Sequence, residues 1–358
     1  MTTQHQHMNG HAFPAVPNGQ EKHARHGHAA YAVGPAPHAV QHGTVEQRLE
    51  HARSIVLRLE QALRAIVLGQ DEIIGGVVQA LVAGGHVLLE GAPGLGKTQI
   101  VRTLAALAGG SFARIQFTPD LMPSDVLGTS LVVTTPDGGK DLTYRRGPIF
   151  ANLVLADEIN RATPKTQSAL LEAMAERTVS VEGKPLPLPS PFFVLATENP
   201  IESEGVYPLP EAQLDRFLVK LIVRMPSLET LALIGARSED PPPPSALTSP
   251  EELSFAQGVA RKIPAAPHVE QYAAKLVLAS HAHRAVRYGA GPRAMQSLMA
   301  CGRARALAAG RSAVAVEDVA AVAANVLRHR IGLRFEAEAE GLTTDTIVAQ
   351  TLATTAVG

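Results

Sequence analysis

Gly91-Ala92-Pro93-Gly94-Leu95-Gly96-Lys97-Thr98 matches the pattern G-x-x-x-x-G-K-[ST] between an apolar run and a helical pattern, Gln99 to Leu107. Glycines at these spacings let backbone N–H groups turn toward phosphate oxygens, and the following helix adds its dipole. Lys97 supplies a point charge to the β- and γ-phosphates, and Thr98 a hydroxyl for Mg2+. Sixty residues after Lys97, the apolar run Leu153-Val154-Leu155-Ala156 ends in Asp157-Glu158. Ligands of open α/β sheets bind at the carboxyl ends of the strands. Asp157 there suits Mg2+, directly or through water, and Glu158 suits a general base on the attacking water. A third apolar run, Phe193-Val194-Leu195-Ala196, ends in Thr197-Glu198-Asn199. A polar side chain at that end senses a γ-phosphate or orients the water; an Asn before Pro200 equally starts a loop. Together these residues suit hydrolysis of a magnesium-bound nucleoside triphosphate.

Positioning them requires a parallel sheet. Five short apolar runs, His86–Glu90, Arg114–Phe117, Leu153–Ala156, Phe192–Ala196 and Leu221–Val223, alternate with helical patterns, as in a buried parallel sheet. Two stretches break the alternation. Residues 124–147, with a turn at Pro136-Asp137-Gly138-Gly139, read as an inserted hairpin or loop; residues 178–189, around Glu182-Gly183, read as a second hairpin. Ahead of the sheet, Thr44 and Gln47 form a capping box for a helix whose apolar face runs through Leu49, Ala52, Val56, Leu59, Leu63 and Ile66. The pattern divides the chain into a His-rich, disordered tail (1–43), an αβα nucleotide-binding core (44–225), a Pro-rich linker (226–249) and an all-α lid (250–358). Pro241 to Pro244 would act as a stiff spacer within the linker.

The three motifs together resemble the Walker A, Walker B and sensor-1 elements of AAA+ ATPases. More closely, the chain resembles the MoxR family. The matching strings are Gln116-Phe117-Thr118-Pro119-Asp120-Leu121 with Pro123-Ser124-Asp125, Gly147-Pro148-Ile149-Phe150-Ala151-Asn152, Asp157 to Ala162, Lys165 to Met174, and Tyr207-Pro208-Leu209-Pro210. The resemblance covers roughly residues 45–355. It implies an α/β P-loop NTPase core, a five-stranded parallel sheet sandwiched by helices with two hairpin inserts, followed by a helical lid. It implies ATP and Mg2+ as cofactors, with Gly91 to Thr98 and Asp157 binding them and Gly69-Gln70 on the adenine side. Leu209 to Phe217 resembles the arginine-finger segment, so Arg216 would reach a neighbouring subunit's ATP. Gly291-Pro292-Arg293-Ala294 resembles sensor 2, so Arg293 would contact the γ-phosphate of its own subunit's ATP. Glu158, Asn199, Arg216 and Arg293 are thus the implied catalytic set. The implied assembly is a homo-oligomeric ring, commonly a hexamer, with chaperone-like remodelling, maturation or metal loading of a client and a von Willebrand factor A domain protein as partner. Both hairpins would face the pore. Two features depart from the pattern: Glu198 stands where Gln is more usual, and the polyproline run is atypical.

Composition limits the alternatives. The net charge is −1, and aromatics make up 4% of the chain, which argues against a base-stacking or backbone-gripping nucleic-acid protein. Lys184 and Arg145-Arg146 on the hairpins keep a nucleic-acid motor as the alternative. No aromatic lies between Thr118 and Thr143, which argues against processive threading of protein. The single cysteine, Cys301, excludes an internal disulfide and reads as a small buried hydrophobe. His86 reads as a core histidine with its hydrogen bonds met. Arg161 has two readings, a contact with nucleotide across an interface or a structural salt bridge. No apolar run suggests membrane insertion, and a cytoplasmic address is expected. Eight of the 14 histidines lie in the first 43 residues at irregular spacings, a solvated tail or a metal-related tract.

Overall fold

A computed structural model describes residues 43–136, 138–200, 205–236 and 244–356. The His-rich tail, Asp137 of the first hairpin turn and Pro241 to Pro243 lie outside the described residues.

Helix α1 (Val45–Ile66) begins at Thr44, where the expected capping box is formed: Thr44 Oγ1 accepts from the Gln47 N–H and Gln47 Oε1 from the Thr44 N–H. Helix α2 (Asp71–Ala83) ends at Gly84 in the left-handed conformation, and β1 (Val87–Glu90) follows. Next come α3 (Lys97–Ala108), β2 (Phe112–Gln116), α4 (Pro123–Leu127) and the hairpin β3 (Gly128–Thr134) to β4 (Lys140–Arg146). Then come β5 (Leu153–Asp157), α5 (Pro164–Glu176), the hairpin β6 (Thr178–Val181) to β7 (Lys184–Pro187), β8 (Phe193–Glu198), α6 (Glu211–Leu214) and β9 (Val219–Ile222).

Five strands form one sheet in the order β2-β5-β8-β1-β9, every pair parallel. All five expected runs are in it, and both expected hairpins stand outside it. The turn between β6 and β7 is Glu182-Gly183, both at positive φ, as a two-residue hairpin of this hand requires. Ser130 Oγ donates to Glu182 Oε1 at 2.8 Å, so the hairpins touch.

Between β9 and the lid, the expected linker contains a helix, α7 (Leu228–Ala236). The lid is formed by α8 (Pro250–Arg261), α9 (Pro267–Ala282), α10 (Pro292–Ala308), α11 (Val316–Leu327), α12 (Phe335–Ala339) and α13 (Thr344–Thr354). It is helical as expected, with one addition: a short antiparallel ribbon pairs β10 (Val286–Tyr288) with β11 (Gly332–Leu333). The ribbon closes because Gly332 has no side chain: a Cβ there would lie 2.0 Å from the Tyr288 ring. Cys301 is buried in α10, and burial pushes its thiol up to about 12.

Candidate active site

Side-chain parity along the strands decides what reaches the site. Leu153 and Leu155 of β5 and Phe193 and Leu195 of β8 join the core beneath α1, α2 and α3. Val154, Ala156, Val194 and Ala196 join the core on the other face. Asp157 and Thr197 continue the first series, so they emerge on the α3 side, where the glycine-rich loop ends. The result is a cavity of about 430 Å3 at the carboxyl edge of the sheet, lined by Pro93, Gly94, Gly96, Lys97, Thr98, Arg114, Gln116, Asp157, Glu158, Thr197 and Asn199.

Gly94 and Gly96 both have φ +80°, and little or nothing would crowd a Cβ at either. Backbone conformation, not space, therefore demands glycine at both positions. Lys97 Nζ donates to the carbonyls of Gly91 and of Glu198, the latter at 3.2 Å. Burial lowers the Lys97 pKa, opposed by Asp157, Glu158, Glu198 and Glu90.

The two carboxylates are held differently. Asp157 Oδ1 accepts from Thr197 Oγ1 at 2.7 Å, and Oδ2 from Arg114 Nη2 at 2.7 Å and Nε at 3.2 Å. Glu158 sits in the left-handed region (φ 57°), uncommon and strained for a residue with a Cβ. Its N–H donates to the same Thr197 Oγ1 at 2.8 Å. Its Oε2 accepts from Gln116 Nε2 at 3.0 Å and pairs with Arg161 Nε at 2.9 Å. Asn160 Nδ2 donates to the Asn199 carbonyl at 3.4 Å, which ties the sensor loop to the turn after β5.

Arg114 and Gln116 line the site but are not among the site residues expected from the sequence. Their signal is two long polar side chains at i and i+2 on an otherwise apolar strand, which puts them on one face. Register does the rest, since Gln116 pairs with Asp157 across β2 and β5. Of the two readings of Arg161, the described contact is the ion pair with Glu158 inside the chain.

The loop and the donor set fit a magnesium-bound nucleotide. A hydroxyl (Thr98) and a carboxylate (Asp157) are hard oxygen ligands of the kind Mg2+ takes, and the glycine-rich turn faces the same cavity.

Glu198 has a structural reason to be an acid. Lys220 Nζ lies 2.5 Å from Glu90 Oε2 and 3.0 Å from Glu198 Oε1, on three neighbouring strands. Burial raises the Glu198 pKa, which Lys220 opposes. At Glu90, burial works upward too, but the charge and hydrogen bond of Lys220 leave that carboxyl below its ordinary value.

Other expected site residues stand elsewhere. Gln70 is buried, its Nε2 donating to the Arg224 carbonyl at 3.1 Å. Gly69 has φ +72°, and a Cβ there would lie 2.5 Å from Thr230 Cγ2. Neither lines the phosphate cavity. Arg216 and Arg293 line a second cavity of about 330 Å3, with Arg177, Asp215 and Arg330. Arg293 Nη1 is 3.6 Å from Asp215 Oδ2, so Arg293 stands on the lining of this second cavity and not on that of the phosphate cavity. For Arg216 the reason is topological. Arg216 precedes β9, while phosphate-binding residues follow the strands, and a four-residue strand separates the two ends by about 13 Å.

Two family models match the chain: the ATPase family associated with various cellular activities (AAA) over residues 86–219, and the AAA lid domain over residues 278–351. Chaperone MoxR1 of Mycobacterium tuberculosis (strain ATCC 25618 / H37Rv) is 40% identical, over 96% of this chain and 92% of its own. Protein YeaC of Bacillus subtilis (strain 168) is 43% identical, over 80% and 90%. Protein MoxR of Paracoccus denitrificans is 33% identical, over 76% and 87%. A crystal structure of a protein from Cytophaga hutchinsonii superposes with a TM-score of 0.79 at 37% identity, over 86% of this chain and 96% of that one. The glycine-rich loop, the paired acids and the helical lid stand in the fold these relatives share, and the chain belongs to the MoxR family of AAA ATPases.

Proposed function

We propose that the chain hydrolyses ATP to ADP and phosphate at the cavity between the glycine-rich loop and Asp157, and that each site is completed by a neighbouring subunit. One observation carries this reading. Lys97, Thr98, Asp157, Glu158 and Asn199 share one cavity, while Arg216 and Arg293 line another. Neither Arg216 nor Arg293 therefore lines the phosphate cavity of its own chain, and a closed ring would bring them to the next subunit's.

In this reading, Lys97 leaves the Gly91 and Glu198 carbonyls for phosphate oxygens. Thr98 and Asp157 would hold Mg2+, which would neutralise phosphate charge. Asp157 must first give up Arg114. Glu158, released from Gln116 and Arg161, takes a proton from the water that attacks the γ-phosphorus, as the bond to the ADP oxygen breaks. Asn199 orients that water or senses the γ-phosphate. The neighbour's Arg216, and Arg293 beside it, stabilise charge in the transition state. Gly69 and Gln70 would bound the adenine side. Residues 44–225 would form the core and 250–358 the lid, joined by 226–249.

The ring would be six-membered and cytoplasmic, and its cycle would remodel, mature or load metal into a client protein, through a partner with a von Willebrand factor A domain. The name of the M. tuberculosis relative supports a chaperone role. Among the described residues, no helix is long and apolar enough to cross a membrane.

The test uses Glu158→Gln as a trap, with Lys97→Ala as the blank, both purified from nuclease-treated lysate. A specific protein retained with ATP on the trap alone supports the client reading. Retention of nothing beyond the blank, with turnover stimulated by DNA or RNA, overturns it in favour of a nucleic-acid motor.

A further inference from the structure

Arg330 is a buried cation that touches nothing in the phosphate cavity. Its side chain is 2% exposed. Nε donates to Asp215 Oδ1 at 2.7 Å. Nη2 donates to the carbonyls of Phe217 at 2.6 Å and Asp215 at 3.3 Å, and to Ser297 Oγ at 3.2 Å. Nη1 donates to the carbonyls of Leu218 at 3.1 Å and Val326 at 2.5 Å. Three of these carbonyls belong to Asp215, Phe217 and Leu218, the residues that flank Arg216.

The two residues before Arg330 hold the same stretch. His329 Nε2 donates to the Phe217 carbonyl at 3.1 Å, and Arg328 Nη1 to the Lys220 carbonyl at 2.9 Å. Three consecutive lid residues thus grip the backbone from 215 to 220. An exposed pair, Arg287 with Glu211 at 2.5 Å, ties the lid to the start of the segment.

A guanidinium is an expensive way to fill this space. Burying a charge costs several kcal/mol, and an apolar residue of similar volume commonly does as well or better for stability alone. What the planar fork supplies is direction, because its donors point at fixed angles. Here they point at the carbonyls around one arginine.

We infer that Arg330 is a positioning residue: it templates the loop from Asp215 to Leu218 and so sets where Arg216 stands toward the neighbouring subunit's phosphate cavity. The lid of one subunit thereby governs hydrolysis in the next. The inference rests on the reading of Arg216 as a residue that acts across the interface.

The test is complementation in mixed rings, made by co-expression with two tags and tandem purification. Arg330→Lys keeps the charge and loses the fork. By itself it should lower kcat about 10²-fold, the cost of displacing a catalytic group by about 1 Å, with fluorescent ATP-analogue affinity changed less than about threefold. Lys97→Ala subunits bind no nucleotide but carry intact Arg216 and Arg330. Rings of the two should recover hydrolysis at the Arg330→Lys sites, because the needed Arg216 comes from the Lys97→Ala neighbour. A defect in folding or in the variant's own cavity would not be rescued this way. Asp215→Asn, which keeps the carbonyl contacts of Arg330, is the second variant should Arg330→Lys fail to fold, and the same rescue is expected of it. Arg216→Ala mixed with Lys97→Ala is the control. Rescue of the control without rescue of either variant overturns this inference and leaves the cross-subunit reading standing. Failure of the control overturns that reading and this inference with it. Wild-type turnover in both variants overturns the inference directly.

Discussion

Thr197→Val should cost the protein far more than its near-identical shape suggests. Thr197 is fully buried, and its hydroxyl donates to Asp157 Oδ1 and accepts from the Glu158 N–H. Valine fills the same space and leaves both groups without that partner. Each orphaned buried group costs about 1–3 kcal/mol, and the extra methyl returns about 0.8 kcal/mol. The expected loss is about 3 kcal/mol. Thr197→Ser keeps both hydrogen bonds and loses one buried methyl, about 1 kcal/mol. Serine should therefore be the milder change, the reverse of the order by shape. Urea unfolding followed by circular dichroism reads the stability difference. The same hydroxyl holds Glu158 in its left-handed turn, so Thr197→Val should also lower kcat at least tenfold with ATP affinity little changed. If the valine variant proves as stable as the serine variant, the hydroxyl is not the bridge between the two acids, and the reasoning fails.

Arg216→Ala should leave ATP binding nearly intact and lower kcat by about 10³-fold or more, read by steady-state turnover; wild-type turnover would sink the finger assignment. Glu158→Gln should retain labelled ATP through filtration while releasing no phosphate, and phosphate release at the wild-type rate would remove Glu158 from the base role. Acid lability should follow the buried histidines. His86 Nδ1 accepts from the Val194 N–H and Nε2 donates to the Met174 carbonyl, so the ring is neutral, with burial lowering its pKa to about 4. Its contribution is complete above the unfolded value near 6.5 and is lost as pH falls from there toward 4, about 3 kcal/mol in all. His329, held well below its ordinary value by burial, adds to the loss in the same direction. Unfolding midpoints between pH 7 and 4 test this, and His86→Gln should flatten the slope.

Much of the fold was legible because its signals are local. Apolar runs of three to five residues, bounded by glycine, proline and polar residues, marked all five strands. Thr44 with Gln47 marked the start of α1, and Glu182-Gly183 marked a hairpin turn. The glycine-rich loop was legible for the same reason, since its chemistry is carried by backbone that a few adjacent residues determine. Asp157, Glu158 and Asn199 could be named because strand ends in a parallel sheet share one edge.

What stayed hidden depended on register and on which end of a strand a residue occupies. Arg114 and Gln116 come to Asp157 and Glu158 only because β2 pairs with β5 in one register. Glu198 looked like a departure until Lys220, on a strand two places away in the sheet, supplied its counter-charge. Arg293 and Arg216 each carry a recognisable motif, but no motif says which cavity a side chain enters. The sequence by itself determined the elements and the phosphate-binding chemistry, because both reside in short contiguous stretches. Only the tertiary structure decided that Arg216 stands at the opposite end of the sheet from its own subunit's phosphate loop, clamped by a lid residue 114 positions away. The physical reason is that hydrogen bonds between distant segments are set by packing, to which spacing along the chain is blind.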